Sequence, residues 1–326
     1  MSYIFGQSWP GIGGGLVAVY KSLLECIGNT PLVEIGKIRP PGGARILVKM
    51  ESLNPGGSIK ARSAASIIEE AEKQGRLKPG DTIVEASSGN QGISLAMIGA
   101  VKGYRVVVCL PETMSMERRR VLQAYGAELV LTPTGKDIKE TLELCIAKVH
   151  EILETRKGAF WACQFDNPAN CEAHYRSTAE EILKDLGTNV HAFVAGIGTG
   201  GTITGVGRRM KEVIPSLRVV AVEPCAAPLL KGGEMGHHCQ EGIGDGIMPG
   251  IMDPEVVDRI ELVSDEDALC MARNLATKEG LFCGVSTGTT VCGAVRIAAE
   301  LPKDHVVVAI MADGGEKYLS TPLCQF

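Results

Sequence analysis

A chain of 326 residues, at about 150 per domain, is long enough for two domains or one large α/β unit. With 45% hydrophobic and 22% charged residues it can bury a core, which excludes a disordered chain. Its 33 basic and 38 acidic side chains, net −5 with no basic block, argue against a nucleic-acid-binding face.

The first 20 residues are uncharged and Gly-rich around residues 11–15, and read as an arm. Short β-branched runs predict strands at 46–50, 82–86, 104–110, 128–132, 192–197, 219–223 and 306–311. Between them lie stretches with helical spacing, such as Ala64, Ile67, Ile68 and Ala71, or Met210 and Val213. Short strands alternating with helices imply βαβ units and parallel sheets, with any ligand at strand C-terminal ends or between domains. The longest uncharged apolar stretch, Ile93 to Val101, is too short for a bilayer, which takes about 20 residues. No Lys or Arg precedes Lys21, so the charged start of a secretory signal is missing. Eleven cysteines with no C-x-x-C pair read as reduced thiols of a cytoplasmic chain.

Three motifs carry chemistry. Gly196, Gly198 and Gly201 fit G-x-G-x-x-G after an apolar strand, and Glu223 ends the next strand. That pattern suits a dinucleotide, and its glycines at a helix start suit any phosphate. Gly284, Ser286 and Gly288 match a hydrolase elbow, but only His305 follows, beside Asp304, so the spaced acid-then-His order fails. Lys60 follows the turn Asn54-Pro55-Gly56-Gly57-Ser58 at the first turn of a helix, where the positive dipole end depresses a lysine pKa and frees an amine for imine formation. An imine-forming lysine, a glycine cradle for one phosphate and a serine for a ring nitrogen are the three fixtures that pyridoxal phosphate requires. A dinucleotide explains only the first motif.

From Ile27-Gly28-Asn29-Thr30-Pro31 to Tyr318-Leu319-Ser320-Thr321 the chain resembles the fold-type-II pyridoxal-phosphate enzymes of the cysteine synthase (O-acetylserine sulfhydrylase) and cystathionine β-synthase group. Pro111-Glu112-Thr113-Met114-Ser115 and Gln164-Phe165-Asp166-Asn167-Pro168-Ala169-Asn170 carry the likeness further. The resemblance implies a tryptophan synthase β-like α/β fold of two mostly parallel sheets flanked by helices. Its domains would be residues 45–163, with the lysine and the substrate-carboxylate loop, and residues 1–44 plus 164–326, with the phosphate loop and the serine. Lys60 would hold the cofactor as an imine and move the proton at substrate Cα. Gly198, Thr199, Gly200, Gly201 and Thr202 would cradle its phosphate, Ser286 would meet the pyridine nitrogen, and Asn90 the ring 3′-oxygen. Ser87, Ser88, Asn90 and Gln91, with Gln164, would grip the substrate carboxylate.

The implied reaction is β-replacement through an α-aminoacrylate, making L-cysteine from O-acetyl-L-serine or another activated serine and sulfide. A neutral serine at the ring nitrogen leaves a weaker electron sink, which favours β-elimination over racemisation. Within the family, a thiol nucleophile, an L-cysteine lyase, or an O-phosphoserine donor with Arg176 or Lys231 as phosphate partner stay open. The rivals outside it are an NAD-dependent oxidoreductase and a catalytically silent binding partner of the same fold. A homodimer is also implied, with no membrane or nucleic-acid partner.

Departures from the family pattern bear on substrate. Gln91 stands where Thr is usual, Ala61 where Asp is usual, and Asp245 in Gly242-Ile243-Gly244-Asp245-Gly246 where a small residue is usual. Asp245 is a candidate base toward an incoming water, thiol or amine. His237, His238 and Cys239 read as a surface loop, because adjacent residues point apart and no second ligand pair stands nearby, so no metal is expected. His174 is expected to bond locally, and Asp313 to act behind the site.

Overall fold

The computed structural model describes residues 19–87 and 89–325; Ser88 and nearly all of the expected arm lie outside them. In chain order the elements are β1 (Leu32–Ile35), β2 (Arg45–Met50), α1 (Lys60–Lys73), β3 (Thr82–Ala86), α2 (Asn90–Lys102), β4 (Arg105–Pro111), α3 (Met116–Ala124) and β5 (Glu128–Thr132). Then come α4 (Ile138–Thr155), β6 (Ala159–Trp161), α5 (Ala169–Ala173), α6 (Ala179–Leu186), β7 (Ala192–Gly196), α7 (Gly201–Val213) and β8 (Arg218–Pro224). The last are β9 (Arg259–Val263), α8 (Asp265–Asn274), α9 (Val285–Glu300) and β10 (Val306–Met311).

Two sheets result, ordered β1-β2-β10-β7-β8-β9 and β5-β4-β3-β6. Among the described residues every pairing is parallel except β1 on β2. Side chains of the larger sheet alternate between two cores. Val194, Val220, Val222 and Val307 pack on one face, and Phe193, Val219, Ala221 and Val306 on the other. The smaller sheet is also covered on both faces. Burial on both faces is why these strands read as unbroken apolar runs.

All seven expected strands are present within one residue of their expected bounds, and the spacing of Ala64, Ile67, Ile68 and Ala71 is the buried stripe of α1. Met210 is buried, but Val213, expected beside it, is exposed at the end of α7. Strand β2 pairs with β10, Arg45 opposite Val306 through Met50 opposite Met311, and so belongs to the larger sheet. The strands β1, β6 and β9 were not expected.

Candidate active site

The C-terminal ends of β3, β4, β7 and β10 converge on a cavity of about 360 Å³. Its wall includes Lys60, Ser87, Asn90, Gln91, Gln164, Gly198, Thr199, Gly200, Thr202, Asp245 and Ser286. This is the place where open α/β sheets bind ligands.

Lys60 reaches it from the first residue of α1. Gly56 and Gly57 before it adopt φ of +79° and +71°, which favour glycine. The turn is tied to the other sheet, because Ile59 donates its N–H to Ala312 O at 2.8 Å and Ser58 bridges Asp313. Desolvation by the surrounding protein lowers the Lys60 pKa, and the carboxylates of Asp245 and Asp313 oppose it. Desolvation, rather than the helix end invoked from sequence, is therefore the physical cause the structure supplies.

The glycine loop joins β7 to α7. Gly200 has φ +76°, and a Cβ on it would lie 2.7 Å from Met252 Sδ. A Cβ on Gly201 would lie 2.2 Å from Asn170 Oδ1, and one on Gly198 2.5 Å from Gly242 O. The backbone here is packed as closely as backbone allows, at a helix N-terminus whose first N–H groups have no intrahelical partner. Asn170 Nδ2 donates to Thr199 Oγ1 at 3.0 Å, and His174 Nε2 lies 3.3 Å from Thr202 Oγ1. His174 is buried, and desolvation holds its pKa well below the usual histidine value, so the neutral ring braces the loop from behind.

The loop after β3 is closed by Ser87, whose Oγ accepts from Gly89 N and Gly92 N, each at 3.1 Å. Asn90 is held at both ends, donating to Asp313 Oδ2 at 2.7 Å and accepting from Lys317 Nζ at 2.8 Å. Gln91 Oε1 accepts from Ser63 Oγ at 3.1 Å, while its Nε2 is buried without a partner among the described residues. Gln164 Nε2 donates to Ala86 O at 3.3 Å. Ser286 lies in the first turn of α9, following Gly284, where a Cβ would meet Asp313 Oδ1 at 2.2 Å.

Asp245 stands across from Lys60. Burial pushes its pKa up, and Lys60 and His238 pull it down. His238 accepts at Nδ1 from Gln240 N at 3.1 Å and sits 3.1 Å from Gly244 O through Nε2. His237, His238 and Cys239 lie on the surface loop expected for them, His237 exposed and the other two half-buried, and that loop also reaches the cavity wall. No cluster of three or more His, Cys, Asp or Glu suited to a metal occurs among the described residues.

Several readings fall away. Glu223, the acid of the dinucleotide pattern, is buried and accepts from Leu230 N at 2.8 Å and Lys231 N at 3.2 Å, fixing a loop. His305, the partner a hydrolase would need, stacks on His191 at the start of β10, the far end from Ser286. Arg176 is exposed and pairs with Glu172. Neither it nor Lys231 is on the cavity wall. The arginine that does line the cavity is Arg118, buried, paired with Glu241 and stacked 4.7 Å over the Tyr318 ring. It sits in the run Arg118-Arg119-Arg120, and nothing in that run marks which arginine turns inward.

The site fits the three-fixture ligand: a lysine of lowered pKa, a cradle that any Cβ would fill, and a neutral serine face one cavity. The family model of pyridoxal-phosphate dependent enzymes matches residues 23–313, and the chain belongs to that family. Within it the chain is of the cysteine synthase type. It is 46% identical to a cysteine synthase of Staphylococcus aureus over 306 residues, 94% of this chain and 97% of that one. A cysteine synthase structure from Entamoeba histolytica matches with TM-score 0.90 and 40% identity, covering 97% of this chain and 94% of that one. A hydrogen sulfide-producing enzyme from Fusobacterium nucleatum matches with TM-score 0.88 and 42% identity, covering 93% and 99%.

Proposed function

We propose that this chain makes L-cysteine by β-replacement, exchanging the acetoxy group of O-acetyl-L-serine for sulfide and releasing acetate. The observation that carries the reading is the meeting of Lys60, the glycine loop and Ser286 on one cavity. Pyridoxal 5′-phosphate, when bound, supplies the electron-accepting ring that lets the substrate lose its Cα proton and β-substituent. Lys60 carries the cofactor and moves the Cα proton, a task suited to an amine of lowered pKa. The 198–202 loop and the N-terminus of α7 hold the phosphate, and Ser286 meets the ring nitrogen without adding charge. Asn90, fixed by Asp313 and Lys317, is poised for the ring oxygen. Ser87 shapes the carboxylate loop, Ser88 belongs to the same loop by sequence, and the unpartnered Gln91 amide and Gln164 receive the carboxylate. A homodimer in the cytoplasm accompanies the reading. No helix among the described residues is long and apolar enough to cross a membrane.

The carboxyl of Asp245 beside Lys60 favours a second reading, in which L-cysteine is the donor, sulfide leaves and Asp245 directs the incoming group. The visible spectrum of the purified protein decides. A yellow form that is lost in Lys60→Ala and changes on adding O-acetyl-L-serine, then recovers with sulfide, is the expected result. A yellow form that ignores O-acetyl-L-serine but releases sulfide from L-cysteine selects the second reading. A colourless protein that pyridoxal phosphate cannot restore removes both.

A further inference from the structure

The last-but-one residue of β3, Glu85, is a carboxylate with 1% of its surface exposed and no part in the chemistry above. Its Oε1 accepts the N–H of Ala86 at 2.9 Å and the indole N–H of Trp161 at 3.0 Å. Its Oε2 accepts the backbone N–H of Gln164 at 3.2 Å. Three donors face it, a set suited to the ionised form. Burial opposes that form and lifts the pKa to about 7, although the hydrogen bonds from Trp161, Gln164 and Ala86 pull it down. The thiols of Cys109 on β4 and Cys163 after β6 face it, and His150 of α4 lies edge-on to the Trp161 ring at 5.1 Å. Both thiols are pushed up to about 12 by burial, and so stay neutral around pH 7.

Gln164 is the element this carboxylate touches that matters. Its backbone N–H goes to Glu85, its side-chain amide to Ala86 O, and its carbonyl accepts from Asn170 Nδ2 at 2.9 Å. The same Asn170 amide reaches Thr199 of the glycine loop. One hydrogen-bonded chain thus runs from Glu85 through Gln164 to the cradle. Oε2, with a single partner among the described residues, is where a proton adds most readily, and a hydroxyl oxygen there is a weaker acceptor for the Gln164 N–H.

We propose that Glu85 is a positioning residue: as a carboxylate it holds Gln164 in place to receive the substrate carboxylate, and on taking up a proton it loosens that hold. The role rests on the reading of Gln164 given under the proposed function. Binding of the donor amino acid then weakens as the solution turns from mildly alkaline to mildly acidic.

Trp161 is a built-in reporter. Its emission, followed in the holoenzyme from about pH 5.5 to about 9, is expected to change with a midpoint near the Glu85 pKa. Glu85→Gln and Trp161→Phe should both lack that change, while His150→Leu, which removes the ring lying edge-on 5.1 Å from Trp161, should keep it. In parallel, the KM for O-acetyl-L-serine is expected to be about tenfold higher at pH 6 than at pH 8, with kcat moving far less. In Glu85→Gln that extra dependence should vanish. Should this variant fail to fold, wild type against His150→Leu still carries the emission arm, and the wild-type KM profile the other. A flat wild-type emission, or an emission change with no shift in KM, overturns the proposal while leaving the proposed function standing. Failure of the proposed function has a different signature: no spectral response to the donor at any pH in either protein, with the emission change intact.

Discussion

Gly201 illustrates how little room the phosphate cradle leaves. Adding one methyl would press on Asn170 Oδ1, and Asn170 is the residue that holds both Gln164 O and Thr199 Oγ1. Gly201→Ala is therefore expected to keep the fold while weakening pyridoxal phosphate binding about tenfold or more, measured by titrating apo-protein. Unchanged affinity would place the phosphate elsewhere. Asp245 makes a sharper test of which nucleophile the site activates. Asp245→Asn keeps the shape and removes the base, so the spectral response to O-acetyl-L-serine should persist while recovery with a thiol slows about a hundredfold. Equal recovery rates would leave Asp245 without a role as base. At this scale Lys60, the glycine loop and Ser286 were legible because each sits in a local motif with its own spacing. Glu85, Ser63, Arg118 and Lys317 were not, since their roles come from neighbours far off in sequence, as Lys317 meets Gly57 and Asn90.

Helix α1 is oriented by more than its apolar stripe. Arg62 donates to Glu51 from Nε at 2.7 Å and from Nη2 at 2.8 Å, and to Glu181 from Nη1 at 2.6 Å. Lys49 reaches Glu181 at 2.7 Å, and Thr30 and Asn54 complete the bonding of Glu51. This network ties β2, α1 and α6 together directly behind Lys60. Arg62→Leu leaves Glu51, with none of its surface exposed, without its cation. The expected loss is about 3–5 kcal/mol, read from urea denaturation. A loss below about 1 kcal/mol would show that Lys49 or water takes over. Which strands were legible follows from the same burial logic. The central strands, apolar on both faces, stand out in the sequence. The unexpected β1, β6 and β9 all lie at sheet edges, where strands are short or carry charge: β6 has three residues, and β9 includes Arg259 and Glu261.

The whole molecule places its ionisable residues so that acid acts on the cradle and on the network behind Lys60 at different stages. His174 is held neutral by burial, so the unfolded chain binds its proton first and stability is lost as pH falls below about 6.5. Glu85 acts with the opposite sign. Its folded pKa of about 7 lies above the unfolded value near 4.5, so the folded state binds that proton first and stability rises as pH falls through that window. Between about pH 6.5 and 4.5 the two slopes oppose one another. Glu181 enters lower down: burial raises its pKa, but Arg62, Lys49 and the Asn29 N–H outweigh burial and bring it to about 2. Its contribution is lost as pH falls from about 4.5 toward 2, in the same direction as His174. The urea midpoint should therefore change little from pH 7 to about 4.5 and drop steeply below. In Glu85→Gln the opposing slope is smaller, left to raised carboxyls such as Asp245 and Glu223, so its midpoint should fall below that of wild type and diverge from it as the pH drops. Two parallel curves over that range would show that Glu85 does not take up its proton in the folded protein.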